Sequence, residues 1–176
     1  MEDLASKVID HALSLGAEFA DLRIESSQGT NVVVMDGKTK TVTARMSTGC
    51  GIRAFIGGAW GFAVTNDISR QSLSAAADSA VRMARVAKER AKVKFEISSA
   101  KAERSVQNYR CDIRPSDVGT EEKVSLAISL DKSMRSTDPR IVSTNARYDE
   151  FEGERVIANS FGSLVRTRET WTLASC

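Results

Sequence analysis

Histidine occurs once in this 176-residue chain, at position 11. A hydrolytic metal site usually takes two histidines and a third ligand, as His-Glu-x-x-His helices show. His11 alone cannot supply one. A Ser-His-Asp or Cys-His arrangement would have to use the same residue, and no Gly-x-Ser-x-Gly elbow accompanies it. Cys50, Cys111 and Cys176 are far apart, odd in number and free of Cys-x-x-Cys pairing. That pattern fits reduced thiols better than a disulfide frame or a zinc knuckle. The pairs Glu121-Glu122 and Asp149-Glu150 are adjacent in sequence, so their side chains diverge and read as solvated rather than as a working acid/base pair. Taken alone, the residues name no enzyme chemistry: no catalytic or metal-binding position is assigned.

They support a binding role better, through the stretch from Ser47 to Asp67, which holds five of the eleven glycines. It reads as two short strands, Ile52 to Ile56 and Trp60 to Thr65, joined at Gly57-Gly58. Tight primed turns need φ > 0, which glycine adopts without a steric cost. Gly49-Cys50-Gly51 resembles a phosphate loop only superficially, because another strand follows it and no Gly-Lys-Ser/Thr occurs. A sheet edge with glycine gaps accepts an extended peptide as an added strand. Gly58, Trp60, Gly61 and Phe62 are the candidate peptide-binding residues, the two aromatics offering flat apolar contact. The competing reading makes both aromatics ordinary core.

The elements that must position this stretch follow from periodicity. Leu4, Ala5, Val8, Ile9, Ala12 and Leu15 recur at helical spacing, so a helix is expected from about Glu2 to Leu15, stopped by Gly16. His11 falls at the edge of its apolar stripe and reads as structural. Asp21 to Glu25 and Asn31 to Met35 alternate as strands. Asp36-Gly37 signals a hairpin, and a threonine-rich return strand runs from Lys38 to Arg45 as an edge or with one face in water. With the glycine-rich hairpin this makes a meander of about five strands. Leu73, Ala76, Ala77, Ala80, Val81, Ala84 and Ala87 define a second helix from about Ser69 to Lys88, its alanine face suited to close packing on a sheet. Its C-terminal basic residues complement the helix dipole.

Lys92 to Ile97 and Val106 to Ile113 read as strands, and Pro115 as a turn. A third helix starts at Thr120, which can cap it, and runs to about Met134. Arg140 to Tyr148 and Glu152 to Asn159 read as strands around an acidic turn, followed by a turn at Phe161-Gly162 and a strand from Leu164 to Leu173. That strand ends beside Cys176 with nothing after it, which suggests an interrupted domain. The expected fold is α+β: an antiparallel meander sheet packed by helices (residues 1–95), a connecting segment (96–114), and the beginning of a second α+β domain (115–176).

Composition bounds the class. Hydrophobic content of 41% and charged content of 27% are globular values. A net charge of +2, from 25 basic and 23 acidic residues, argues against a dedicated nucleic-acid binder. No apolar run approaches the ~20 residues of a membrane span, and the acidic N-terminus lacks a signal-peptide layout. A cytoplasmic protein without membrane contact is expected.

Several stretches together resemble the N-terminal part of the TldD/PmbA family, the metallopeptidases also labelled modulators of DNA gyrase. They are Ala12 to Ile24, Asp36-Gly37-Lys38, Gly49 to Arg53, Gly58-Ala59-Trp60-Gly61-Phe62-Ala63, Glu121-Glu122-Lys123 and Asn159-Ser160-Phe161-Gly162. The Gly-Ala-Trp-Gly-Phe-Ala wording looks closer to the TldD branch. The resemblance implies a longer protein that pairs as TldD-like and PmbA-like subunits around an enclosed cavity. It implies a zinc peptidase that trims unfolded or extended peptides, with a His-Glu-x-x-x-His motif downstream of the matched region. No residue here fits that motif. The expectation is an N-terminal segment, inactive alone and holding no cofactor. Its partners would be extended peptide and a PmbA-like or identical subunit. The alternative is a non-catalytic binding, scaffold or partner-subunit module of the same family.

Overall fold

A computed structural model describes residues 1–93 and 95–176. In chain order the elements are α1 (Glu2–Ser14), β1 (Phe19–Met35), β2 (Lys38–Ile56), β3 (Ala59–Thr65), α2 (Arg70–Arg90), β4 (Arg104–Asn108), α3 (Thr120–Thr137), β5 (Asn145–Asn159) and β6 (Leu164–Ser175), with a short 3-10 turn at Pro115–Asp117 before α3. The strands form one sheet in the order β3-β2-β1-β5-β6-β4. The fold is α+β, a mostly antiparallel six-stranded sheet packed by helices. Only β4 runs parallel to its neighbour: Leu164 donates to the Glu103 carbonyl at one end and Tyr109 to the Arg168 carbonyl at the other.

The meander is present with fewer and longer strands than the alternation suggested. The two short strands expected on each side of Asp36-Gly37 are continuous, so β1 has 17 residues and β2 has 19. The stretches left between the expected strands, Ser26 to Gln28 and Met46 to Thr48, are not buried and so carry no alternation of core residues. Backbone pairing carries them instead. The same correction applies to β5, which runs unbroken through the expected acidic turn. The expected strand from Val106 to Ile113 is shorter and earlier, Arg104–Asn108. The stretch Lys92 to Ile97 includes Lys94, which lies outside the described residues; residues 95–103 form no strand.

Two compact units alternate along the chain. The first comprises Met1–Ser26, Thr48–Gln107 and Glu154–Thr167; the second comprises Ser27–Ser47, Asn108–Gly153 and Arg168–Cys176. In the first, the predicted stripes of α1 and α2 bury Val8, Ile9, Leu73, Ala77, Ala80 and Ala84 with Leu22, Ile24, Ile52 and Ala54 of the sheet. Ser69 caps α2, its hydroxyl accepting from the Ser72 amide at 3.3 Å, and Asp67 accepts from Ser69 and Ser72. The closest approach is at Gly61 of β3. A Cβ there would run into the Ala80 carbonyl and stand 2.5 Å from the Ala84 nitrogen, so α2 lies directly on the β3 backbone.

In the second unit, α3 packs Val124, Ala127 and Leu130 against Val32 and Val34 of β1 and Ala146 and Tyr148 of β5. Gly119, rather than Thr120, precedes the first turn, and no side chain caps it. Asp149 and Glu150, expected to be solvated, are both 5% exposed. The correction has a physical cause, since each carboxylate is matched inside the fold. Lys123 donates to Glu150 Oε1 at 2.7 Å and Tyr148 to Oε2 at 2.7 Å, and Thr30 bonds it too. Asn31 and Arg147 donate to Asp149. Burial pushes the Glu150 carboxyl up, and its three hydrogen bonds outweigh that and hold it below the ordinary value. Nearby, Asp131 is fully buried between Thr144 at 2.6 Å and Arg135 at 2.9 Å.

Two outcomes are expected from this packing. Gly61→Ala should lower unfolding stability by about 1–3 kcal/mol or more, because backbone must move to admit the methyl; urea denaturation measures it, and an unchanged midpoint would contradict the seam. In the second unit, Lys123→Met strands a buried carboxylate and should cost about 3–5 kcal/mol. The depressed Glu150 carboxyl contributes stability above its ordinary value of 4.5 that is lost as pH falls below it through the folded value. Urea midpoints at pH 7, 5 and 3 should therefore fall mainly across the last interval in the parent chain.

Candidate functional site

The hairpin β2–β3 turns through Gly57 and Gly58, at φ +55° and +87°, the pair of left-handed conformations a two-residue primed turn needs. Its register runs Ile56↔Ala59, Phe55↔Trp60, Ala54↔Gly61, Arg53↔Phe62, Ile52↔Ala63, Gly51↔Val64 and Cys50↔Thr65. A two-residue loop makes the flanking pair, Ile56 and Ala59, the hydrogen-bonded one, and bonding then alternates along the ladder. Phe55 confirms the phase, because its carbonyl accepts from the Glu18 amide on the far side of β2. The backbone N–H and C=O groups of Trp60, Phe62 and Val64 therefore point away from β2. β3 ends the sheet, so they face an open edge.

Side chains alternate with the same period. Ala59 and Gly61 are buried beneath α2, while Trp60, Phe62 and Val64 are exposed on the opposite face. Trp60 meets the rings of Phe55 and Phe19 edge-on, at 5.1 and 5.9 Å, and the Arg53 guanidinium lies 5.1 Å from its ring centre. Phe62 lies over Gly51, where a Cβ would be 3.2 Å from its ring. Arg53 is held by Asp21, through Nε at 2.9 Å and a second bond from the same guanidinium; that hydrogen bond, more than the partial burial opposing it, raises the Arg53 pKa. On the helical side, His11 bonds Asp78 and Arg85 bonds the Leu15 carbonyl, which marks the flank of α2 turned toward α1. At 100° per residue, Met83 falls on the other flank, roughly 140–160° around the helix from Asp78 and Arg85, and is half exposed.

Of the four residues singled out from sequence, Trp60 and Phe62 present both backbone and side chain to the edge. The core reading does not describe them. Gly61 faces β2 and α2, where it is a packing residue, and the Gly58 carbonyl accepts from Phe95 at 3.1 Å. Val64 belongs with the aromatics and was missed; counting outward from the two-residue turn would have found it.

Among the described residues, no three His, Cys, Asp or Glu side chains gather to hold an ion. His11 Nε2 lies 2.8 Å from Asp78 Oδ1 as a surface pair between two helices. All three cysteines are free, and burial pushes the Cys50 thiol up to about 11, away from the thiolate a nucleophile or ligand needs. Among the described residues no helix is long and apolar enough to cross a membrane.

Comparison with known proteins agrees with this architecture. Residues 20–84 match the family model described as PmbA/TldA metallopeptidase domain 1, and residues 113–176 match the one described as the PmbA/TldA metallopeptidase central domain. A metalloprotease of Methanothermobacter thermautotrophicus is 31% identical over 87% of this chain and 32% of its own length. One of Methanocaldococcus jannaschii is 28% identical over 89% of this chain and 34% of its own. Among solved structures, TldE from Thermococcus kodakarensis superposes with a TM-score of 0.74 at 14% identity, over 97% of this chain and 37% of that one. A candidate modulator of a DNA gyrase from Thermotoga maritima gives 0.74 at 16% identity, over 98% and 38%. These structural likenesses speak for the fold. The chain belongs to the TldD/PmbA metallopeptidase family and spans about a third of the length of the curated relatives it matches.

Proposed function

We propose that this chain is the peptide-holding, non-hydrolytic N-terminal portion of a TldD-like zinc peptidase that trims unfolded or extended peptides. The observation that carries the reading is the open β3 edge. Three successive outward positions, Trp60, Phe62 and Val64, each turn a backbone donor and acceptor away from β2 beside an exposed side chain. A peptide added as a seventh strand would bond these groups whatever its sequence, because the bonds are main-chain to main-chain. Its alternate side chains would meet Trp60 and Phe62 on one face and Met83 on the other. Zinc and the scissile bond belong, on this reading, to the portion of the enzyme beyond the matched domains. A PmbA-like or identical subunit is the proposed partner, and the three free thiols favour the cytoplasm.

Val64→Pro separates the edge from the fold. Its amide has no partner on β2, so proline removes a donor that only an added strand would use. Fluorescence anisotropy with a labelled, unstructured ten-residue peptide should show binding weakened about tenfold, the worth of one or two backbone bonds, with little change in unfolding midpoint. Undiminished binding by the folded variant would overturn the edge reading. Incubated with zinc and peptide, the 176-residue chain should release no fragments by mass spectrometry; cleavage would refute its non-hydrolytic role.

A further inference from the structure

The second compact unit carries an open cavity of about 320 Å³ that the peptide edge does not use. It opens between the start of α3, the Pro115–Asp117 turn, and strands β1, β2 and β5, all within that unit. Its volume is at the small end of ligand sites, ~300–1,000 Å³, enough for one or two residues of a peptide.

The hydrogen-bond inventory of its wall is unbalanced. Lys123 lines the cavity with 5% of its surface exposed and carries three N–H donors, of which one reaches Glu150 Oε1. Glu150 is saturated by comparison, because Tyr148 and Thr30 also donate to it. Glu152, the other carboxylate on the wall, accepts from Gln28 at 3.4 Å and has Arg114 4.0 Å away. The second cation, Arg45, has only a 4.0 Å approach to Asp149, which Arg147 and Asn31 already satisfy. The hydroxyls of Ser116 and Thr120 complete the polar lining. Lys123 and Arg45 offset Glu150 and Glu152 in charge, but spare hydrogen-bonding capacity stands on both cations: two donors on the buried ammonium, and the Arg45 fork, whose approach to Asp149 is 4.0 Å. A planar carboxylate is an acceptor that suits both a guanidinium fork and an ammonium.

We propose that this cavity binds the C-terminal carboxylate of a peptide, through Lys123 and Arg45. The preference for a carboxylate stands on the wall itself; the choice of a peptide as its carrier rests on the function proposed above. The two sites lie in different units and take different parts of a chain. Strand addition at β3 reads the backbone of any extended segment, whereas this cavity reads whether the segment has a free end. A peptidase portion so equipped distinguishes short products and tails from the interior of a long chain.

Nuclear magnetic resonance on the ¹⁵N-labelled 176-residue chain reports both places separately, through the amides of Gly29, Thr30 and Val118 for the cavity and Trp60, Phe62 and Val64 for the edge. The probes are N-acetyl-alanyl-alanine as free acid, its C-terminal amide, and sodium acetate. The free acid should move the cavity amides saturably. The amide should bind about tenfold more weakly, the loss of one charge-assisted bond, and acetate should be weaker than the dipeptide acid. Arg45→Met, an exposed position that leaves Lys123 paired, should weaken the acid about fivefold to tenfold with resonance dispersion unchanged. Thr120→Val provides a second variant for the same loss. Equal binding of acid and amide, an unmoved cavity, or acetate binding as tightly as the dipeptide would each overturn the proposal. Edge amides that respond to a ten-residue peptide while the cavity stays silent would overturn this inference alone; the reverse result would overturn the edge reading and leave the cavity standing.

Discussion

The seam between α2 and β3 is the constraint on which the first unit depends. Ala80 and Ala84 rest on Gly61 with no side chain between helix and strand backbone. A helix that close covers one face of the hairpin completely. It has the reverse effect on the other face: with every small residue of β3 committed to the helix, the alternation of the strand puts Trp60, Phe62 and Val64 outside. Large residues at Gly61 and Ala63 would have lifted α2 and permitted a thicker, ordinary core. The alanine stripe and the exposed aromatics are thus two consequences of one packing choice. Nothing larger than a methyl separates the edge strand from its supporting helix, and β3 is an edge because it ends the sheet.

The second unit solves a different problem. It places Lys123, Glu150, Asp149 and Asp131 inside, where a lone charge would cost several kcal/mol of desolvation. Replacing such a pair with apolar residues often leaves stability unchanged or better, so stability alone is a poor reason for it. The Lys123–Glu150–Tyr148 network is therefore read more naturally through the space it borders. Around a cavity, an ammonium with donors left over is compatible with the fold only if water or a ligand can reach it. That is the physical difference between this pair and Asp131, whose two oxygens are each bonded, to Thr144 and to Arg135.

Helices were legible in the sequence because their stripes are long and carry recognisable signals: Gly16 after α1, Ser69 at the start of α2, and the two glutamates in the first turn of α3, where the expected Thr120 cap gave way to Gly119. Both hairpin turns were equally plain, Asp36-Gly37 and Gly57-Gly58, since left-handed φ demands those residue types. Strand length was not. Alternation reports burial, and where β1 and β2 lose their core the pattern stops although the pairing continues. The site divided the same way. Trp60 and Phe62 stood out by residue type, but their exposure follows from Gly61 meeting a helix twenty residues further on. Glu150 was misread for a related reason: Tyr148 is its neighbour on β5, but Lys123 and Thr30 come from α3 and β1, and no local spacing announces them.

Strand addition also sets a limit on what this portion can do unaided. Six backbone groups on Trp60, Phe62 and Val64 are worth about 0.5–1.5 kcal/mol each once exchange with water is counted. Association costs on the order of 4–15 kcal/mol in lost freedom, before the peptide itself is ordered. The two sums nearly cancel. Binding along β3 must draw its surplus from contact with the aromatics and Met83, or from a second attachment on the same peptide. Such a platform is indifferent to sequence and releases its cargo readily, as the proposed holding of many extended chains requires. A tight, sequence-reading groove would need side-chain pockets that the small residues of β3, spent on the helix, cannot form.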